Sequence, residues 1–482
     1  MLTECTQKDF GFQGLGRRKV QVDFDGGHLS SDGGALFLRE IEVRSGIIRR
    51  LAGCFIDFRN PELIEHSVHH LLAQRINGLA AGYEDLNDHD ELRRDPVHAL
   101  AAGKADLLGE KRLEKNDRGK ALAGSSTLNR LELAAEKPDP RYKKIVAQPE
   151  EIEALLISEG VKSIPRRSRE IVLDFDATDD PLHGSQEGAY YHGYYKSYCY
   201  LPLYCFCGSI PLWAELRDCK RDASAGTVEA LEKIVPAIRK RFGKKIRIIV
   251  RADSGFARDP IMVWCEEQRG VYYCFGYAKN KRLEAMIEEE FAQLRREVEE
   301  GKVELPCRRF SELHYRTVDS WSRTRRVVAK LEILEKGENP RYIVTNLPVD
   351  GIDKRDRNRF EGRHLYEKFY CARGDMENRI KEQQMDLFAD RTSTHWMKSN
   401  QLRLWFSAFA HLLMEKLRTG VLRGTALERA TIGQIRLKLF KIAARLTVSC
   451  RRVCINLCSA YPYKDMFEKA HANLSTIATG KT

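Results

Sequence analysis

No run of about 18 apolar residues occurs in the chain, so no membrane-spanning helix is expected. The opening residues, Met1-Leu2-Thr3-Glu4-Cys5, lack a basic segment followed by an apolar run, so no secretory signal is expected either. Internal repeats and low-complexity tracts are missing, which excludes solenoid and repeat architectures. Cysteine is present 13 times, but an odd number without a framework of spacings argues against a disulfide scaffold. The thiols are then expected in a reducing compartment. Acid is the scarcer charge: 81 Lys and Arg face 69 Asp and Glu, a net charge of +12. That balance favours a polyanionic partner, nucleic acid first.

With 482 residues, 43% hydrophobic, the chain exceeds the size of a single core and should divide into two to four units. Cys450, Cys454 and Cys458 recur every four residues, which puts them on one helical face as small buried hydrophobes rather than zinc ligands. Cys205 and Cys207 lie in an apolar strand without a second pair at finger-like spacing.

Residues 19–26 read as a short strand, and 34–135 as mostly helical, with Leu63, Val68, Leu71, Leu72 and Ile76 at helical spacing. A polar stretch from 137 to 168, with one short helix, reads as a boundary. Residues 170–176 then alternate, with Ile171, Leu173 and Phe175 on one face. Strands are expected at 194–207, 210–217, 246–251 and 271–277, and helices at 226–242 and 259–269. The order β-β-β-α-β-α-β fits a mixed sheet with packed helices, as in the ribonuclease-H-like fold. A charged helix spans 281–300. Strands at Tyr315–Val318, Arg326–Ala329 and Tyr342–Thr345 make 281–350 β-rich, with a turn at Glu335–Pro340. Helix returns near 360 and continues, with breaks, to about 459. From Glu415 to Val453 ten Lys or Arg face two Glu.

Three segments carry chemistry. Asp174, Asp176, Asp179 and Asp180 crowd the end of the first core strand, a repulsion that a hard divalent cation relieves. Asp174 and Asp176 share a strand face; the alternative is a solvated acidic turn. Asp253, in Arg251-Ala252-Asp253-Ser254-Gly255-Phe256, follows a buried strand, where open α/β sheets place ligands. A helix cap is its alternative. On the helix after Phe369, Ala372, Met376 and Ile380 make the buried stripe, with Arg373, Glu377 and Lys381 beside it; an i,i+4 ion-pair ladder is the plain alternative. Together, two strand-end Asp and a late helical Glu are what two-metal phosphoryl transfer needs.

These segments resemble the DDE transposases of bacterial insertion sequences, in the branch with a Tyr-x2-Arg-x3-Glu signature, here Tyr370, Arg373 and Glu377. Asp176-Ala177-Thr178-Asp179-Asp180-Pro181, Tyr191–Tyr195, Leu201-Pro202-Leu203 and Arg251–Phe256 are similar to insertion-sequence group 1380. The likeness covers roughly 10 to 460. The broader branch often carries a Lys where Gln384 stands, so the phosphate-contact role passes to Lys381 and Arg373.

The resemblance implies catalytic, metal-holding Asp176, Asp253 and Glu377, with Asp174 and Asp179 as second choices. It implies magnesium, with manganese as a substitute. The implied fold is α/β: a ribonuclease-H-like catalytic core (166–280 and 351–415), interrupted by a β-rich insertion (281–350). Helical DNA-binding parts flank it at 1–165 and 416–482. The implied partners are transposon inverted repeats and target DNA, met by a homodimer in the bacterial cytoplasm, on the nucleoid. Candidate DNA contacts are Tyr370, Arg373, Lys381, Arg130 with its neighbours Ser125, Ser126 and Asn129, and the basic C-terminal Arg436, Lys438, Lys441, Arg445, Arg451 and Arg452. His183 and His192 are expected to be structural, and Tyr190, Tyr191, Tyr194 and Tyr195 to pack. The rival readings are a ribonuclease-H-like nuclease without strand transfer, a non-catalytic repressor derived from a transposase, and a zinc enzyme.

Overall fold

The structure, a computed structural model, describes residues 10–133, 144–356 and 358–475. Part of the boundary stretch expected at 137–168 thus lies outside the described residues. The chain forms two compact units. One combines residues 1–52, 57–131 and 417–482; the other holds 53–56 and 132–416.

The second unit is built on one mixed sheet. Its strands in chain order are β1 (Glu170–Ala177), β2 (Leu203–Cys207), β3 (Ile210–Glu215), β4 (Arg247–Ala252), β5 (Val271–Tyr277), β6 (Cys307–Tyr315), β7 (Arg325–Leu334), β8 (Gly337–Glu338) and β9 (Arg341–Thr345). The spatial order is β3-β2-β1-β4-β5-β9-β7-β6, with β8 on β7. β4 runs parallel to both β1 and β5, and the remaining pairs are antiparallel. The strands after residue 305 therefore extend the same sheet past β5.

Strand periodicity decides what each face carries, because successive side chains point to opposite sides. Ile171, Leu173 and Phe175 of β1 join Ile248 and Val250 of β4 and Tyr273 and Phe275 of β5 in one large core. Three amphipathic helices cover that face: α1 (Thr227–Phe242) through Leu231, Ile234 and Ile238, α2 (Asp259–Glu267) through Ile261 and Met262, and α3 (Lys281–Glu299) through Ile287, Phe291 and Leu294. On the opposite face Ile249, Cys274, Val328 and Ile343 pack against Leu365, Tyr366 and Phe369. Those three belong to the helical segment that runs on, through a π-helical stretch (Leu365–Tyr370) and a 3-10 turn (Cys371–Arg373), into α4 (Gly374–Lys381).

Several local expectations need correction. The strand expected over 194–207 is two strands, Ser197–Tyr200 and β2, separated at Pro202, which has no N–H for a ladder. The earlier piece pairs with Tyr190–His192 and Asp180–Pro181 in a small separate sheet. The strand placed at Tyr315–Val318 ends at Tyr315.

Helix does not continue to 459. Ala444–Val448 and Val453–Leu457 form an antiparallel hairpin, because Ala444, Leu446 and Val448 alternate with polar residues at period two. The turn is closed by Ser449 N–H to Arg452 O at 2.9 Å. The C-terminal part is therefore not wholly helical, and Cys450, Cys454 and Cys458 are exposed on this hairpin rather than buried along a helix.

In the first unit, Ala444–Val448 also pairs with His28–Ser30, so the sheet joins the two ends of the chain. The helix Val68–Ala81 is capped by Ser67 Oγ accepting from His70 N–H at 3.2 Å, and it stops at left-handed Gly82. A Cβ on Gly82 would stand 2.8 Å from Cδ of Arg436, whose Nε donates to Ala80 O at 3.1 Å. Asp32 is fully buried. It accepts from Tyr83 Oη at 2.6 Å and pairs with His98 Nε2 at 3.1 Å and Lys441 Nζ at 2.7 Å. Burial alone would raise its carboxyl; these partners hold it well below the usual range instead.

Burial, and then the Lys104 cation, push the His66 imidazole down to about 3. The unfolded chain takes up this proton near pH 6.5, whereas the folded chain refuses it. Stability is thus full above about pH 6.5 and falls as the pH drops towards 3. At pH 5 the deficit from His66 should be about 2 kcal/mol. Urea unfolding at pH 7 and pH 5 should show a smaller loss for His66→Asn than for wild type; equal losses would refute burial of a neutral ring.

Candidate catalytic carboxylates

β1 and β4 lie side by side in register, with Arg251 opposite Asp174 and Ala252 opposite Phe175. Asp176 on β1 and Asp253, one residue past β4, therefore come together at the carboxyl ends of two parallel strands. Parity puts Asp174, Asp176, Arg251 and Asp253 on the face that also carries Val172 and Ile249, which is the face covered by the 365–370 segment. The same helical segment delivers Glu377 from α4.

Arg373 links the parts. Its Nη1 donates to Asp176 Oδ2 at 3.2 Å and its Nη2 to Glu377 Oε1 at 2.8 Å. Burial, opposed by Arg373 and reinforced by the carboxylates of Asp253 and Glu377, pushes Asp176 up to about 7. Arg373 itself is raised: burial would lower it, but Asp176 and its acidic neighbours outweigh that cost. Asp253 Oδ1 accepts from Gly255 N–H at 2.8 Å, the short cap that turns the chain beyond β4.

The donor set suits a hard divalent cation: carboxylates from three elements, Asp176 and Asp253 half-buried and Glu377 exposed, with Asp176 and Glu377 already sharing the Arg373 guanidinium. Asp176, Asp253 and Glu377 do not bring their ligand atoms within 4.8 Å of one another, and the guanidinium stands between two of them. Among the described residues, the trio that meets that distance is Asp32, Asp95 and His98 in the first unit. There Lys441 already neutralises Asp32, and Asp95 accepts from Ser30 Oγ at 2.7 Å and caps the helix Pro96–Ala101.

Asp174 is not part of the set. It is turned to Arg251, whose Nε and Nη2 donate to its two oxygens at 2.5 and 2.8 Å. Sequence reasoning placed Asp174 and Asp176 on one face correctly, but missed the guanidinium opposite. The signal was available: Arg251 stands two residues before Asp253, as Asp174 stands two before Asp176. Asp179 keeps its backbone carbonyl bonded to Gln384 Nε2 at 3.1 Å, so Gln384 ties the acidic loop to the helical segment just beyond α4.

Tyr370 reaches the Asp253 turn because Gly276 of β5 lets it. A Cβ at Gly276 would collide with the Tyr370 hydroxyl and stand 2.9 Å from Ser254 N. Burial pushes the Tyr370 phenol up to about 12. Beside it opens a cavity of about 400 Å³, lined by Tyr277, Lys279, Arg341, Tyr342, Tyr366 and Tyr370.

Lys381 is exposed on α4, one turn past Glu377. Tyr190 and Tyr191 in the small sheet and Tyr194 in the turn that follows are exposed rather than packed, while Tyr195 is half-buried. Burial, then the Asp179 and Asp176 charges, push Tyr195 up to about 12. His183 is exposed, and His192 accepts from Tyr195 N–H at 3.4 Å, a structural contact.

In the first unit, Arg130, Lys438, Arg445, Arg451 and Arg452 are exposed. Ser126 and Asn129 are exposed as well, whereas Ser125 bonds to Asp90 through its N–H and its hydroxyl. Arg436 and Lys441 are committed to Ala80 O and Asp32 respectively.

The family described as transposase DDE domain group 1 matches residues 12–479. The chain belongs to this family. No curated protein matches it. Among solved structures, this family member is similar to a cryo-EM structure of the piggyBac transposase synaptic complex with hairpin DNA. Identity is 10% and the TM-score 0.36, over 93% of this chain and 86% of that one.

Gly276→Ala should cost about 1–3 kcal/mol in urea unfolding, as overpacking does. It should also displace Tyr370. A variant with wild-type stability and wild-type Tyr370 contacts would show that the close approach is not required.

Proposed function

We propose that this transposase-family chain binds the inverted repeats at transposon ends, cleaves phosphodiester bonds there and joins the freed 3′-hydroxyl ends to target DNA. One observation carries the reading: two aspartates meet in register at parallel strand ends, and Arg373 bonds the first of them and the helical Glu377. The strand order β3-β2-β1-β4-β5 supports a ribonuclease-H-like core; in this reading 281–350 is the insertion and the flanking regions 1–165 and 416–482 bind DNA.

Asp176, Asp253 and Glu377 would hold the divalent ions, magnesium or manganese. When bound, such ions activate the attacking oxygen and neutralise charge on the leaving one. The remaining work belongs to the chain. Arg373, a planar fork already between two carboxylates, suits a phosphate oxygen once its acidic partners are otherwise neutralised. Tyr370 is fixed beside Asp253 and orients the backbone there, and Lys381 adds a cation one helical turn on. Lys279 and Arg341, with the tyrosines of the 400 Å³ cavity, offer a cationic and aromatic lining to a DNA strand. Cutting two ends together calls for a homodimer on DNA, in the bacterial cytoplasm.

Cleavage of a supercoiled plasmid carrying the element's ends, with magnesium, tests the reading. Asp176→Ala, Asp253→Ala and Glu377→Ala should each bind the ends and lose at least about a hundredfold in cleavage rate. Variants that cut normally would refute this active site. A wild type that binds but never cuts would point to a repressor, and one that cuts without joining to a plain nuclease.

The basic side chains of the first unit separate by what they already hold. Lys438→Ala and Arg445→Ala should each lower the salt slope of end binding by about 1. Lys441→Ala should leave that slope alone and lower the melting temperature, because it strips the buried Asp32 of a cationic partner. The reverse pattern would contradict the assignment.

A further inference from the structure

Arg251 makes three directed contacts and lies almost wholly buried, at 7% exposure, against Asp174 at 3%. Two go to Asp174 on β1; the third, from Nη1, goes to the backbone carbonyl of Phe369. The guanidinium carbon also lies 5.2 Å from the centre of the Phe369 ring. Arg251 belongs to β4, two residues before Asp253; Asp174 is two residues before Asp176; Phe369 immediately precedes Tyr370 and leads into the helix of Arg373 and Glu377. One planar group thus touches each of the three elements that deliver a candidate metal ligand, one layer below those ligands. Its carbonyl partner lies in a π-helical stretch, an irregularity that frequently marks functional sites.

Stability alone does not explain the pair. A buried ion pair is often replaced by packed apolar residues at little or no cost, and the same face of the sheet carries the apolar cluster of Ile249, Cys274, Val328, Ile343 and Phe369. What the guanidinium supplies, and apolar residues do not, is a set of bonds fixed in direction.

We infer that Arg251, held by Asp174, is a positioning residue that sets the spacing of Asp176, Asp253 and Glu377. The inference rests on the carboxylate reading above. Arg251 touches neither DNA nor metal and acts only through the three elements it joins. Lysine keeps the charge but cannot hold three acceptors in one plane.

The test uses the full chain as Arg251→Lys, as the double exchange Asp174→Leu with Arg251→Met, and as Asp253→Ala for control. Four quantities are read: melting temperature, affinity for an inverted-repeat duplex, Mn2+ binding followed by electron paramagnetic resonance, and single-turnover cleavage at saturating DNA. Arg251→Lys and the double exchange should fold and bind the duplex as wild type does. Mn2+ should bind about tenfold more weakly, the usual consequence of losing support behind a ligand. Cleavage at saturating DNA should fall about a hundredfold, as for an ångström of misplacement.

Wild-type Mn2+ binding and cleavage in either folded variant, with Asp253→Ala inactive, would overturn the positioning role and leave the carboxylates standing. Full cleavage by Asp253→Ala would remove the carboxylate reading and this inference with it. Failure of both Arg251 variants to fold would mark the pair as a structural element and likewise overturn the proposal.

Discussion

Everything at the candidate site depends on the parallel, in-register pairing of Glu170–Ala177 with Arg247–Ala252. Side chains on a strand alternate strictly, so one choice of register decides both faces together. With Phe175 beside Ala252 in the large core, Asp176 and Asp253 must lie together on the other side. A slip of one residue on either strand would bury carboxylates among Leu231, Ile234 and Met262, at a cost no apolar core can meet. The hydrophobic face therefore enforces the geometry of the acidic one.

The acidic face then has its own problem, which is like charge in partial burial. Asp174 is relieved by the fork of Arg251, and Asp176 only partly by Arg373, which it shares with Glu377. The upward push on Asp176 to about 7 records what remains unrelieved. Burial pushes Asp174 up as well, against the opposing Arg251; the two carboxylates differ in their partners, since both oxygens of the inner one are bonded to Arg251, whereas the outer one shares its guanidinium with Glu377.

The core sheet was legible because its signals were local. Alternation in Ile171, Leu173 and Phe175, the β-branched run before Arg251, and the stripe Ala372, Met376 and Ile380 each needed only a few neighbours. Met376 and Ile380 are buried as that stripe requires, although Ala372 is not. What failed depended on partners distant in sequence. The basic segment after Phe440 carries residues that suit either helix or strand, and pairing with His28–Ser30 decides for strand. Tyr190–Tyr195 read as one packed strand, yet the strand ends at His192, Tyr194 falls in the turn beyond it, and Tyr191 and Tyr194 stay exposed. Arg436 and Lys441 look like free cations until the carbonyl of Ala80 and the carboxylate of Asp32 are seen beside them. Composition reports how many charges a segment has; only the fold reports which are already spent.

The pairing of His28–Ser30 with Ala444–Val448 has a consequence for how the molecule is made. Domains fold as they leave the ribosome, generally first-made first. The helices after His28–Ser30 cannot complete their sheet, nor Asp32 meet Lys441, until residues 441–448 have been translated. The carboxylate-bearing unit, complete once residue 416 has emerged, is free to form earlier. A ribosome that stops short of the final hairpin releases a chain with its carboxylates assembled and its flanking unit unfinished.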